Sequence, residues 1–379
     1  MSSPTDEEAA FGVPTGTIVA GRYKILRPLT EGGMATVFTA EELGEDGQPT
    51  GVERAIKIMA PRLLRDAKSL ERFQQESMIG TTLRHPHIVE VLGAGIDPAL
   101  ESPWIAMELL TGGTLSAVLR ERGALPIEEV RELFLQFGAA MAAAHQAGVV
   151  HRDLKPENLF LESTPSVSTS GVTLPYTVKV LDFGIAKVRK DVTMKNSQLI
   201  GSPLWMAPEQ LSAGTAIGPF TDVWPFGLLA FHALTARPYW LAANAPSLNL
   251  PKLLAEIMAA EIVAPSVRAR ALGLDVEISP ALDAWFLRCV ARDHQKRFAS
   301  VGEAADKLDR ALAPGARESL APVEDAAEPE PTPVAAVVDE PPPMTVVQQP
   351  AAPSRAPFAM AALALGLLGA AVAAWFFSH

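Results

Sequence analysis

Cysteine is almost missing from this chain: Cys289 is the single one in 379 residues. A disulfide framework and a multi-cysteine zinc site are therefore excluded, and the folded part suits a reducing compartment. Cys289 itself reads as a small core residue rather than a nucleophile. Basic charge is also scarce, with 32 Lys and Arg against 43 Asp and Glu and a net charge of -11. Nucleic-acid phosphates need clustered cations, so no nucleic-acid partner is expected. The opening MSSPTDEEAA lacks the basic start of a signal peptide and no long apolar run follows it, so no export signal is expected there. No internal repeat is visible.

Apolar residues, by contrast, make up 48% of the chain and charged ones only 20%, which directs attention to a membrane segment. Residues 358–377 read FAMAALALGLLGAAVAAWFF, twenty residues without a charge. As a helix this run would rise about 30 Å, the thickness of a bilayer core. It is expected to be a single transmembrane anchor. Arg355 precedes it and no basic residue follows, so the long N-terminal side is expected in the cytoplasm, at the cell (inner) membrane. Ala362, Gly366, Ala370 and Ala374 recur every fourth residue. Such a small-residue stripe suits a homodimer of two such helices, although chance explains it equally well in so Ala-rich a run.

Between about Ala313 and Pro357 the chain is rich in Pro, Ala and acidic residues and cannot bury enough apolar surface to offset ordering entropy. Residues 313–357 are expected to be an extended linker carrying a net charge of -5, and residues 1–21 a disordered tail of -3. The body between them, residues 22–312, is left near neutral. Its apolar stretches at Leu133 to Ala144 and Trp224 to Leu234 are short and abut polar residues such as Gln136 and His232, so both read as buried helices.

The body opens with Tyr23-Lys-Ile-Leu, then Leu29-Thr-Glu-Gly32-Gly33-Met-Ala-Thr-Val37-Phe38, a strand, a tight turn and a second strand able to fold over phosphates. Alone, the two glycines are only a turn signal. They gain meaning from Arg54-Ala55-Ile56-Lys57-Ile58, an alternating strand with one lysine among apolar neighbours, which needs an anionic partner. Glu76, in the helical stretch Leu70 to Leu83, is one candidate, and Glu71, on another face, its rival.

The most informative region is His151-Arg152-Asp153-Leu154-Lys155-Pro156-Glu157-Asn158, followed after an insertion by Val178-Lys-Val-Leu-Asp182-Phe183-Gly184. It supplies a carboxylate able to accept a hydroxyl proton, a lysine two residues on, an asparagine at plus five and a second aspartate after a short apolar strand. Hard oxygens for Mg²⁺, a base for the nucleophile and a cation for developing charge are what phosphoryl transfer requires.

On these motifs the chain resembles the eukaryotic-like (Hanks-type) Ser/Thr protein kinases of bacteria, over about Arg22 to Leu312. The resemblance implies an α+β bilobal fold, with a small β-rich N-lobe over about residues 22–107 and a larger helical C-lobe over about 111–312. It implies transfer of the ATP γ-phosphoryl group to protein Ser or Thr hydroxyls. Lys57 would contact the α- and β-phosphates and pair with Glu76, Asp153 would be the base, Lys155 would steady the γ-phosphate, and Asn158 and Asp182 would hold Mg²⁺. The hinge would be Glu108-Leu109-Leu110 after Met107, offering backbone hydrogen bonds to adenine. Leu29, Gly32 and Gly33 would cover the nucleotide, and Val37 and Ala55 would sandwich its ring. The activation segment would run from Asp182 to Glu209, with Thr193 and Ser197 as phosphorylation sites whose phosphate pairs with Arg152. Arg297 would pair with Glu209.

Three departures stand out. Thr30 and Ala35 occupy the first and third glycine positions of the phosphate loop, each adding a Cβ where the backbone approaches phosphate or takes a special φ. Pro225 sits near the start of the large central helix, harmless there if Asp222 caps it. Ser163 to Pro175 is a Ser/Thr-rich insertion, expected as a surface loop. A catalytically weak membrane scaffold, a pseudokinase, is the alternative that the altered glycine loop raises.

Overall fold

The computed structural model describes residues 13–32, 35–59, 81–167, 173–183, 203–212 and 214–313. Six strands form the first sheet: β1 (Ile18–Val19), β2 (Tyr23–Glu31), β3 (Ala35–Leu43), β4 (Pro49–Met59), β5 (Val91–Asp97) and β6 (Ser102–Glu108), in spatial order β1-β2-β3-β4-β6-β5. Every pair is antiparallel. Alternation along the strands sends Tyr23, Ile25, Phe38, Ala40, Ile56, Ile58 and Ala106 to one face, where they pack with Trp104. The opposite face carries Lys57, flanked across the strands by Val37 and Ile105, and Ala55, flanked by Thr39 and Met107. Register alone therefore places the lysine beside the apolar positions expected to hold a base ring.

The fold starts before Arg22, within the stretch expected to be a tail. Ile18 and Val19 pair with Lys24 and Tyr23, and Val13 and Val19 are buried in the first sheet's core. The Ala20 N–H donates to Asp97 Oδ2 at 2.7 Å, and the other oxygen, Oδ1, accepts from the N–H groups of Ala99 and Leu100. Burial opposes the Asp97 charge, but these three N–H donors outweigh it and hold the carboxyl below its ordinary range.

The second lobe begins with β7 (Gly112–Thr114) and helices α1 (Leu115–Arg122) and α2 (Ile127–Gln146). Strands β8 (Leu159–Glu162), β9 (Ser166–Val167), β10 (Thr173–Leu174) and β11 (Thr177–Val180) follow, with β11-β8-β7 forming a small sheet. Helices α3 (Pro208–Leu211), α4 (Pro219–Thr235), α5 (Leu250–Met258), α6 (Pro265–Ala271), α7 (Pro280–Cys289) and α8 (Val301–Leu312) complete it. The two apolar stretches expected as buried helices are α2 and α4. Phe226 of α4 lies 5.0 Å, ring to ring, from both Phe134 and Phe137 of α2. Cys289 packs in this core, and burial pushes its thiol well up, as suits an inert core residue.

Two expectations need correction. The insertion is not a plain loop: Ser166–Val167 and Thr173–Leu174 pair as a hairpin, Leu174 is buried, and the Ser166 hydroxyl receives Gln136 Nε2 at 2.9 Å while donating to the Tyr176 carbonyl at 2.7 Å. Asp222 does not cap α4, whose N-cap is Gly218. Pro225 therefore falls in the second turn, where it removes the N–H that would reach the Thr221 carbonyl, a loss of about 3 kcal/mol in an ordinary helix. Helix α4 withstands it because nearly every residue from Thr221 to Thr235 is buried, so packing rather than its own ladder secures it. Among the described residues no helix is long and apolar enough to cross a membrane; residues 358–377 lie outside them.

Helices α2 and α8 meet where Gly138 faces Ala305: a Cβ on Gly138 would stand 2.3 Å from the Ala305 Cβ. Alanine gains roughly 1 kcal/mol of helix propensity over glycine, yet overpacking at such a contact costs about 1–3 kcal/mol. Gly138→Ala should lower the melting temperature, and adding Ala305→Gly should recover part of the loss. A single variant that melts at or above the parent temperature would show that the crossing has slack.

Candidate functional site

The site is assembled by one buried carboxylate. Asp222, fully buried in α4, accepts the His151 N–H at Oδ2 and the Arg152 N–H at Oδ1, both at 2.8 Å, and its Oδ2 lies 2.9 Å from His145 Nε2. Gln210 Nε2 donates to the Arg152 carbonyl at 2.7 Å. These bonds hold Arg152 at φ 67°, a left-handed conformation unfavourable by about 1–2 kcal/mol for a residue with a Cβ.

The loop beyond is fixed from within. His151 Nδ1 accepts from the Asp153 N–H at 3.2 Å, so Nε2 carries the hydrogen and donates to the Leu181 carbonyl at 2.8 Å. The Phe183 ring meets the His151 ring edge-on at 4.8 Å. Asn158 Nδ2 donates to the Asp153 carbonyl at 2.7 Å, which fixes the amide and leaves its Oδ1 as the atom available to a hard cation. The Leu181 N–H donates to the Asn158 carbonyl at 2.9 Å. Asp153, Asn158 and Asp182 are thus held in one framework.

Two ion pairs lie on this framework. Lys155 Nζ is 2.9 Å from Asp153 Oδ2, and Lys57 Nζ is 2.6 Å from Asp182 Oδ1. Burial opposes the charge of Asp182, but the Lys57 ammonium outweighs it, helped by Lys155, and holds the carboxyl below its ordinary value. The partner that Lys57 finds among the described residues is therefore Asp182; Glu76 and Glu71 lie outside them, as do Gly33, Gly184, Thr193 and Ser197.

Beside the lysine, Ala55 is buried and Val37 half-buried; Leu110 beyond β6 is half-buried and Leu29 on β2 is 38% exposed. Gly32 donates its N–H to the Ala35 carbonyl at 3.0 Å, closing the turn between β2 and β3. Thr30 pairs with Val37 and Ala35 with Met59 as strand residues, so neither takes the special backbone conformation that made the missing glycines a concern. Glu108 ends β6, and its N–H is already given to the Glu90 carbonyl at 3.0 Å.

Two features escaped the sequence reading. Asp222 near a helix start suits a cap, whereas a charge inside a mostly apolar helix needs buried donors, and that is the available clue. Lys179, between the buried Val178 and Val180, reaches Glu108 Oε1 at 2.8 Å. It carries the same signal as Lys57, a lone lysine in an apolar strand. The pairing expected between Glu209 and Arg297 is present and bidentate, at 2.7 and 2.9 Å, with both side chains buried and the guanidinium over the Trp224 ring.

A β-rich lobe and a helical one, with a lysine from the first and two aspartates and an asparagine from the second meeting between them, make the arrangement of the protein kinase class. The comparisons agree. A family model described as protein kinase domain matches residues 23–307. The chain is 33% identical over 253 residues to the Ser/Thr-protein kinase PrkC of Bacillus subtilis, covering 66% of this chain and 36% of PrkC. It is 31% identical over 317 residues to the Ser/Thr-protein kinase pkn3 of Myxococcus xanthus, covering 80% and 53%. Among solved structures, the kinase domain of Mycobacterium tuberculosis PknI (C20A mutant) matches with a TM-score of 0.58 at 25% identity, over 80% of this chain and all of that one. The chain belongs to the protein kinase family. It matches little more than a third to about half of these curated relatives' length.

The Asp182 shift has a measurable sign. Stability carried by its ionisation is present above the ordinary carboxyl value of 3.8 and is lost as the pH falls through the lower folded value. In Lys57→Met, burial is left without its main counterweight, and the carboxyl should titrate above 3.8 instead. Carbon-13 NMR of the aspartate carboxyls reads both; the same titration midpoint in parent and variant would remove Lys57 as the cause.

Proposed function

We propose that the chain is a membrane-tethered Ser/Thr protein kinase that transfers the γ-phosphoryl group of ATP, with Mg²⁺, to protein Ser or Thr hydroxyls. The observation that carries this reading is the meeting of Lys57, Asp182, Asp153, Lys155 and Asn158 in one hydrogen-bonded framework between the lobes. Asp153 takes the proton of the acceptor hydroxyl as its oxygen attacks phosphorus. Lys155, already at the Asp153 carboxylate, steadies charge on the transferring group. Lys57, paired with Asp182, orders the α- and β-phosphates. Ser/Thr specificity rests on the Asp-Leu-Lys-Pro-Glu-Asn pattern at 153–158 and on the printed names of the relatives.

The donor set fits Mg²⁺. It comprises one carboxylate and one oriented amide, and among the described residues no cluster of three or more His, Cys, Asp and Glu could cage a metal alone. Mg²⁺ suits such a site because it keeps waters and phosphate oxygens as its remaining ligands. When bound, it neutralises charge developing on the phosphate oxygens.

Arg152 Nε is buried with no hydrogen-bond acceptor among the described residues, which supports it as the partner of a phosphate on Thr193 or Ser197. Tethering rests on the uncharged run 358–377. Its small-residue stripe suits a homodimer, and the kinase lobes belong on the cytoplasmic side.

With labelled ATP and Mg²⁺, the full chain in detergent should label Ser or Thr. Asp153→Asn should lose about 10²–10⁴-fold in rate, and Lys57→Met should be silent. A chain lacking 358–377 should move from the membrane to the soluble fraction with its transferase activity intact. Undiminished labelling by Asp153→Asn would defeat the assignment of the base.

A further inference from the structure

We infer that Lys179 is a positioning residue for the nucleotide, acting through Glu108 on the hinge. The inference rests on the kinase reading above and adds to it a residue outside the expected site. Lys179 lies in β11 between two fully buried valines, and its side chain is 13% exposed. An ammonium in such a strand is costly unless paired, and Lys179 meets Glu108 Oε1 at 2.8 Å. Glu108 is the last residue of β6, at the connection between the lobes.

The same oxygen has a second donor. Glu108 Oε1 also accepts the Glu90 N–H at 2.9 Å, while the Glu108 N–H donates to the Glu90 carbonyl at 3.0 Å. The segment ending at Glu90 is in turn stitched to β11. Val89 N–H donates to the Val180 carbonyl at 3.0 Å, Val180 N–H to the His87 carbonyl at 2.9 Å, and His87 Nδ1 lies 3.1 Å from the Val178 carbonyl.

The contacts therefore close a ring: hinge, Glu90, the 85–90 segment, β11, Lys179 and back to the hinge. They enclose a cleft of about 390 Å³ whose wall includes Glu90, Glu108 and Lys179. The backbone bonds join the 85–90 segment to β11, but Lys179 supplies the ring's direct tie from β11 to the hinge. Two residues past Val180, the same strand delivers Asp182, which Lys57 engages. One strand thus sets both ends of the nucleotide site, the phosphate and metal end through Asp182 and the adenine end through Lys179.

As a device for stability alone the pair is a poor one, since an apolar residue of similar volume commonly does as well. Its effect falls instead on preorganisation: the hinge is already held where adenine meets it, and less ordering is left for binding to impose.

The test uses the full chain in detergent and Mg²⁺-ATP as the probe, with the dissociation constant measured by calorimetry and the melting temperature beside it. Lys179→Met and Glu108→Gln should each weaken ATP about fivefold, the factor that roughly 1 kcal/mol gives. The double variant should be no weaker than either single, because both remove one contact. Lys179→Arg, which keeps the charge, should restore most of the affinity, and in transfer assays Lys179→Met should raise KM for ATP with kcat unchanged. Parent-like affinity in Lys179→Met with only a lowered melting temperature would overturn the inference, as would additive losses in the double variant. If the parent binds ATP yet transfers nothing, the activity reading fails while the affinities still decide the role of Lys179.

Discussion

The site depends on the carboxylate of Asp222, held inside a helix that is mostly apolar. A buried charge without partners is unfavourable by several kcal/mol, so this one must find donors. It finds the backbone N–H groups of His151 and Arg152, at the start of the loop that carries the chemistry. Because those two donors belong to consecutive residues, the chain is forced through the left-handed turn at Arg152. From that turn, Asp153 faces Lys155 and Asn158 rather than following the line of the preceding helix. The His151 ring, set by the same turn, reaches Leu181 and Phe183 and brings the second aspartate alongside.

Such an anchor is only as firm as its helix. Helix α4 has a proline in its second turn and a weakened ladder, but aromatic rings from α2 and α7 enclose it: Phe134, Phe137 and Trp285 all contact Phe226. The Arg297 and Glu209 pair stands beside it with the guanidinium over Trp224, tying the end of the activation segment to the same support. Rigidity here comes from tertiary packing, which tolerates one missing backbone bond far better than an isolated helix does.

Much of this was legible in the sequence because the residues concerned are chemically costly where they stand. Lys57 between Ile56 and Ile58 announces a strand and a need for an anion, and the structure places it on a strand beside a carboxylate. The run from His151 to Asn158 and Asp182 could be read as one site because phosphoryl transfer needs those groups together. Less legible was which partner a charge would choose. Asp222 near a helix start looks like a cap, and only the three-dimensional path of a loop some 70 residues earlier shows that its oxygens are engaged elsewhere. The boundary at Arg22 failed for a different reason: Val13 and Val19 are too few to form a pattern, and what secures their segment is Asp97, far away in sequence. The glycine positions were legible as departures, but their consequence was not. Strand register, which no local motif reveals, is what gives Thr30 and Ala35 an ordinary extended backbone.

Two lysines in like settings show how the lobes are joined. Lys57 belongs to the first sheet and pairs with Asp182 of the second lobe, whereas Lys179 belongs to the second and pairs with Glu108 at the end of the first. Each is a lone cation in an apolar strand, and each reaches across the junction, in opposite senses. A single cross-lobe pair permits rotation about itself. Two pairs at separate points of the junction resist such rotation. Since Lys179 lies on β11 and Asp182 follows two residues after its end, a displacement of that strand is felt at both pairs together.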